Sequence, residues 1–134
     1  MAELSNGGET STAGKLVCVV DDDESVRASF GTLLESLGFA VITYASGRDI
    51  LGDERRHQVS CFIVDQHMPE MDGLTTLRAL RRDNPGAMTI LMTGRYDAEI
   101  AARAGVLQID AVLEKPFLVT RLLEVIRTPH EPTR

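Results

Sequence analysis

Five short apolar runs alternate with five stretches of helical periodicity, and no other feature of this chain constrains its fold as tightly. The runs are KLVCVV (15–20), FAVITYA (39–45), CFIV (61–64), AMTILM (87–92) and DAVLE (110–114). KLVCVV reads as a strand buried on both faces, and the other four runs as strands. Between them, SVRASFGTLLESLG (25–38) repeats Val26, Phe30, Leu33, Leu34 and Leu37 at helical spacing, with Gly38 placed to stop the helix. GRDILGDE (47–54) predicts a short, weak helix. Asp72 is placed to cap a helix through GLTTLRALRRD, with Leu74, Leu77 and Leu80 on one side. YDAEIAARAG (96–105) and FLVTRLLEVIR (117–127) supply the last two helices. Strict alternation with short connections predicts an α/β fold: right-handed crossovers and a parallel sheet with helices on both faces.

At 134 residues the chain has the size of one compact domain. The domain is expected over 15–127, flanked by a mobile Gly/Ser/Thr-rich tail (1–14) and a polar tail, TPHEPTR (128–134). A net charge of −6 argues against nucleic-acid binding through a basic face within this chain. No apolar run approaches membrane-spanning length, and the first 14 residues lack the hydrophobic segment of a secretory signal, so a cytoplasmic location is expected. Cys18 and Cys61 lie inside apolar runs and are read as buried free thiols.

In open parallel sheets, ligands bind outside the carboxyl ends of the strands. Strand one ends in Asp21-Asp22-Asp23-Glu24, strand three in Asp65, strand four in Thr93-Gly94 and strand five in Lys115-Pro116. A lone acid after a strand is equally well read as a helix cap, but capping does not account for all four polar endings together. Crowded carboxylates repel one another unless a cation intervenes. Oxygen-only ligands suit Mg²⁺ held by few protein groups. A dication plus the Lys115 ammonium would balance Asp21, Asp22 and Asp65, leaving a neutral site for an incoming phosphoryl group.

VVDDDES, IVDQHMPEMDG, LMTG and LEKPF, in this order and at these separations, resemble the receiver domain of two-component response regulators. The likeness covers roughly residues 15–127. It implies a flavodoxin-like five-stranded sheet in the order 2-1-3-4-5 and a phosphoacceptor that catalyses only its own phosphotransfer and dephosphorylation. Asp65 would take the phosphoryl group from a sensor histidine kinase or a phosphotransfer protein. Asp22 and Asp65 would ligate Mg²⁺ directly, Asp21 through water, and the His67 backbone carbonyl would complete the protein ligands. Lys115 would pair with Asp65 and then with the phosphoryl oxygens, Thr93 would bond one of them, and the peptide before Pro116 would be cis. Val112 departs from the family pattern, since an aromatic residue usually stands there. The output is therefore expected on the helix-four, strand-five and helix-five face, through a homodimer that uses exposed Arg95, Asp97, Glu99, Arg103, Arg121 and Glu124. His67 and Arg95 are expected to overhang the site.

The competing reading is a haloacid-dehalogenase-type phosphatase, with Asp21 as nucleophile and Asp23 as acid/base. It needs an acidic pair after the lysine, whereas only Glu124 and Glu131 follow Lys115, and it leaves Asp65 without a role. A flavin binder of the same fold would need a Ser/Thr/Gly phosphate loop where three aspartates stand. Met68 and Met71 are read as loop packing, His57 and His130 as solvated, Tyr44 and Tyr96 as surface or partly buried, and RALRRD (78–83) as a solvated helix face.

Overall fold

The computed structural model describes residues 14–127; the two predicted tails, with His130 and Glu131, lie outside that range except for Gly14. The elements are β1 (Leu16–Val20), α1 (Glu24–Ser36), β2 (Ala40–Tyr44), α2 (Gly47–Leu51), a 3₁₀ turn (Glu54–Gln58), β3 (Cys61–Asp65), α3 (Gly73–Asp83), β4 (Met88–Thr93), α4 (Ala98–Leu107), β5 (Ala111–Glu114) and α5 (Val119–Arg127). All four strand pairings are parallel, and the order is β2-β1-β3-β4-β5.

Side chains alternate across the sheet, as a period of two requires. Cys18, Val20, Phe62, Val64 and Leu91 face a core layer closed by Ile50, Leu74, Leu77, Leu80, Ile100 and Ala104 of α2, α3 and α4. Val17, Val19, Cys61, Ile63, Ile90 and Met92 face the opposite layer, closed by Leu34, Leu122, Val125 and Ile126 of α1 and α5. The register pairs Val17 with Cys61, which sends the two cysteines to opposite layers; both thiols are free and buried, as expected.

Every predicted strand and helix is present, with ends shifted by one or two residues. Three details differ. The second helix stops at Leu51, because Gly52 caps it and the Asp53 carboxylate starts the separate 3₁₀ turn. Of the five apolar positions expected to anchor α1, only Leu34 is fully buried; α1 lies near the β2 edge of the sheet, where less core is available to cover. The RALRRD face is not uniformly solvated. Arg81 is half-buried and donates to the carbonyls of Leu107 (2.9 Å) and Gln108, capping the carboxyl end of α4.

Gly73 fixes the approach of α3 to the end of β3. A Cβ there would press on the Asp65 carbonyl and sit 2.8 Å from Leu91 Cδ1, so only glycine lets the helix start against the strand.

Candidate functional site

Four strand ends bring the site together. β3 delivers Asp65 to its last position, buried along its whole length, so the carboxylate is set by a rigid strand. β1 ends at Val20 and presents Asp21 next, only 2% exposed, while Asp22 is exposed. Thr93 ends β4 fully buried, and Lys115 follows β5, joined to Pro116 by a cis peptide bond as expected.

Lys115 Nζ lies 2.6 Å from Asp65 Oδ1 and 3.6 Å from Asp21 Oδ2. Both oxygens are buried, and among the described residues the Lys115 ammonium is the partner at hand for each. The other oxygens are satisfied: Asp21 Oδ1 accepts from the Asp23 amide at 2.9 Å and Asp65 Oδ2 from the His67 amide at 3.2 Å. Burial pushes the Asp21 carboxyl above the ordinary carboxylate range. The Asp23 amide opposes that push, the nearby Asp65 charge adds to it, and Lys115 opposes it again. Burial alone would lower the Lys115 pKa, but its two carboxylate neighbours outweigh burial and raise it.

Asp21, Asp22 and Asp65 each place an oxygen within 4.8 Å of the others. Three hard oxygen donors, with two buried oxygens short of hydrogen bonds, form a donor set that fits a hard dication. A buried carboxylate oxygen left unbonded is costly unless something positive completes it.

Thr93 Oγ1 bonds the backbone of Arg95 through both its carbonyl and its amide, each at 3.1 Å, and stands 3.5 Å from His67 Nε2. His67 and Arg95 are both exposed at this rim, and Arg95 leans 3.7 Å from Asp97. Asp23 belongs elsewhere. Its Oδ1 caps α1, accepting from the Ser25 amide (2.9 Å) and hydroxyl (2.7 Å), and those bonds hold its carboxyl below the usual range. A capped, easily ionised acid is poorly suited to the acid/base task that the phosphatase reading assigns it.

Beside Asp65, one buried polar residue escaped the sequence reading. Gln66, 5% exposed, follows Asp65 directly; its Oε1 accepts from the Leu74 amide at 2.9 Å and its Nε2 donates to Asp72 Oδ2 at 3.1 Å. A polar residue between a buried strand end and a helix cap six residues on was the available signal. Arg103 also differs from expectation. It is half-buried and paired with Asp72 at 3.2 Å, because the α3 cap lies within its reach, whereas Arg95, Asp97, Glu99, Arg121 and Glu124 are exposed as expected. The remaining incidental residues follow the reading: Met68 is buried, Met71 and Tyr44 are half-buried, and His57 and Tyr96 are exposed.

The response regulator receiver domain family matches residues 17–127. The transcriptional regulatory protein FixJ of Azorhizobium caulinodans is 35% identical over 111 residues, covering 83% of this chain and 53% of the relative. Nodulation protein W of Bradyrhizobium diazoefficiens is 33% identical over 129 residues, covering 96% and 57%. The chain thus spans about half the length of these curated relatives. Among solved structures, the Vibrio cholerae chemotaxis protein CheY4 superposes with a TM-score of 0.78 at 27% identity, covering 85% of this chain and 97% of that one. The BeF3-activated DrrB receiver domain superposes at 0.74 and 28%, covering 82% and 92%. No helix among the described residues is long and apolar enough to cross a membrane. With its strand order, its acidic edge and a family match over most of its length, this chain belongs to the receiver domains of two-component response regulators.

Proposed function

We propose that Asp65 is the phosphoacceptor, that Mg²⁺ is the cofactor, and that the donor is a phosphohistidine on a sensor kinase or phosphotransfer protein. The observation that carries this reading is the pair of buried, under-bonded oxygens on Asp65 and Asp21 beside the Lys115 ammonium. Asp22 and Asp65 would hold the metal directly, Asp21 through water, and the His67 carbonyl would complete the protein donors. Bound there, the ion would neutralise charge on the phosphoryl oxygens during transfer. The chain's own residues do the rest. Asp65 attacks phosphorus as its bond to the histidine nitrogen breaks, forming a mixed anhydride that later loses phosphate to water. Lys115 moves its attention from carboxylate to phosphoryl oxygen, and the Thr93 hydroxyl leaves the Arg95 backbone to donate to another. The domain is thus a signalling switch that acts on itself, in the cytoplasm, with residues 15–127 as the functional unit.

The test is incubation with acetyl phosphate and Mg²⁺ followed by intact-mass measurement. One phosphoryl group is expected per chain, absent from Asp65→Asn. Full labelling of that variant overturns the reading.

For output, the exposed charges of both signs on α4 and α5, with Tyr96, Leu118 and Val119 beside them, support weak homodimerisation on phosphorylation. Sedimentation with and without beryllofluoride checks this; a monomer in both states at high concentration removes the dimer. Glu99→Arg is a cleaner disrupting variant than any at Arg103, whose pairing with Asp72 is internal.

A further inference from the structure

One unbroken chain of hydrogen bonds runs from Asp65 to α4. Asp65 Oδ2 accepts from the His67 amide. That N–H belongs to the same peptide unit as the Gln66 carbonyl, which accepts at 3.1 Å from the Gly73 amide, the first residue of α3. A peptide unit is planar and stiff, so its two ends turn together. The Gln66 side chain spans the same gap, tied to the Leu74 amide and to Asp72 Oδ2. Asp72 caps α3 with Oδ1, which accepts from the Thr75 amide at 2.9 Å, while Oδ2 also accepts from Arg103 of α4 at 3.2 Å.

The two donors on Asp72 Oδ2 differ in kind. Gln66 is buried and held at both ends of its amide, whereas the Arg103 side chain is 38% exposed. A half-exposed ion pair is worth little, so releasing Arg103 from Asp72 into solvent costs little. A contact that costs little to break is released by a small change at the buried end. The far end of α4 does not share this freedom, because Arg81 holds the Leu107 and Gln108 carbonyls.

We infer that Gln66, Asp72 and Arg103 are positioning residues that carry the state of Asp65 to the first half of α4, an inference that rests on the phosphoacceptor reading above. Occupation of Asp65 draws Oδ2 away from the His67 amide. The Gln66–His67 peptide then turns, Gln66 shifts along the first turn of α3, and Asp72 releases Arg103. The amino half of α4 moves about its pinned carboxyl end. The route needs no aromatic ring at position 112, where a stiff β-branched valine packs against the α3–α4 side of the core.

The experiment is amide NMR of the whole chain with Mg²⁺, before and after beryllofluoride. Wild type is expected to show shifts at 65–67 and across 98–103, smaller at 104–107. Arg103→Gln and Asp72→Asn, the latter retaining a good cap residue, are expected to keep the shifts at 65–67 while those at 98–103 fall by more than half. Amide dispersion reports folding in the same spectra, and the half-exposed Arg103 side chain makes Arg103→Gln the safer of the two. Shifts at 98–103 as large in both variants as in wild type overturn the relay and leave the phosphoacceptor reading standing. Absent shifts at 65–67 in wild type overturn that reading and the relay with it.

Discussion

The two ends of the sheet hold the same residue types in opposite conditions. Near the amino end of β4 and β5, Asp110 and Thr89 close on each other: Asp110 Oδ2 accepts from the Thr89 amide at 2.8 Å and hydroxyl at 3.0 Å. The Asp110 amide in turn donates to Thr89 Oγ1 at 3.2 Å. At the carboxyl end, Asp65 and Thr93 never meet in this way. Thr93 turns to the Arg95 backbone, and Asp65 keeps a buried oxygen whose partner among the described residues is the Lys115 ammonium. An aspartate and a threonine can therefore be a structural clasp or the makings of a phosphoryl site. What separates the two is whether their bonding capacity is used up within the fold.

The largest expected effect separates the ends by metal. Mg²⁺ at roughly a hundred times its dissociation constant should stabilise the protein by about 2.7 kcal/mol. Asp22→Ala should remove most of that gain while raising the metal-free melting temperature, since one of three crowded charges has gone. Thermal denaturation with Mg²⁺ and with chelator measures both. An Asp22→Ala protein that melts no higher than wild type without metal weakens the case that these acids repel.

Next comes the clasp. Asp110→Ala strands the buried Thr89 amide and hydroxyl, a loss of about 1–3 kcal/mol in urea denaturation. Acetyl phosphate labelling of Asp65 should be unaffected. Impaired labelling in a folded Asp110→Ala protein would erase the distinction between the two ends.

The smallest effect is on pH dependence. Burial raises the Asp21 pKa above its ordinary 3.8, so its contribution to metal-free stability is complete below that value and is lost as pH rises through the raised one. Asp53 behaves in the opposite sense. Hydrogen bonds from Arg55 and from Tyr44, the latter at 2.6 Å, hold its carboxyl well down, so its contribution is present above 3.8 and is lost as pH falls. Melting temperatures from about pH 3 to 7 should flatten on the upper side in Asp21→Asn and on the acid side in Asp53→Asn. Parallel curves in either variant would reassign the responsible group.

Much of this was legible in the sequence because the central strands are apolar throughout. Buried β1, β3 and β4 leave no ambiguity of period; β3 and β4 end on Asp65 and Thr93, and β1 runs directly into Asp21. The acids, Thr93 and Lys115 were found by asking what lies just past each strand. The parts that stayed hidden depend on distances along the chain that no local pattern encodes. Arg81 and Arg103 sit in an arginine-rich helix face and an alanine-rich helix, and their partners lie 26 and 31 residues away in sequence. Gln66 looked like the first residue of a loop, although the Leu74 amide eight residues on is what holds it. The 3₁₀ turn at 54–58 was missed because Asp53 was read inside the helix over 47–54 rather than as the cap that begins another.

The two cysteines give this protein a way to be watched without a dye. Each lies in a different core layer, and burial pushes both thiols up, Cys61 to about 12, so neither reacts while its layer is closed. A thiol reagent added to the native chain therefore times how often a layer opens, and peptide mapping tells which of the two opened. The α2–α3–α4 side and the α1–α5 side carry separate clocks, and a signal that loosens α4 should quicken one and leave the other at its old rate.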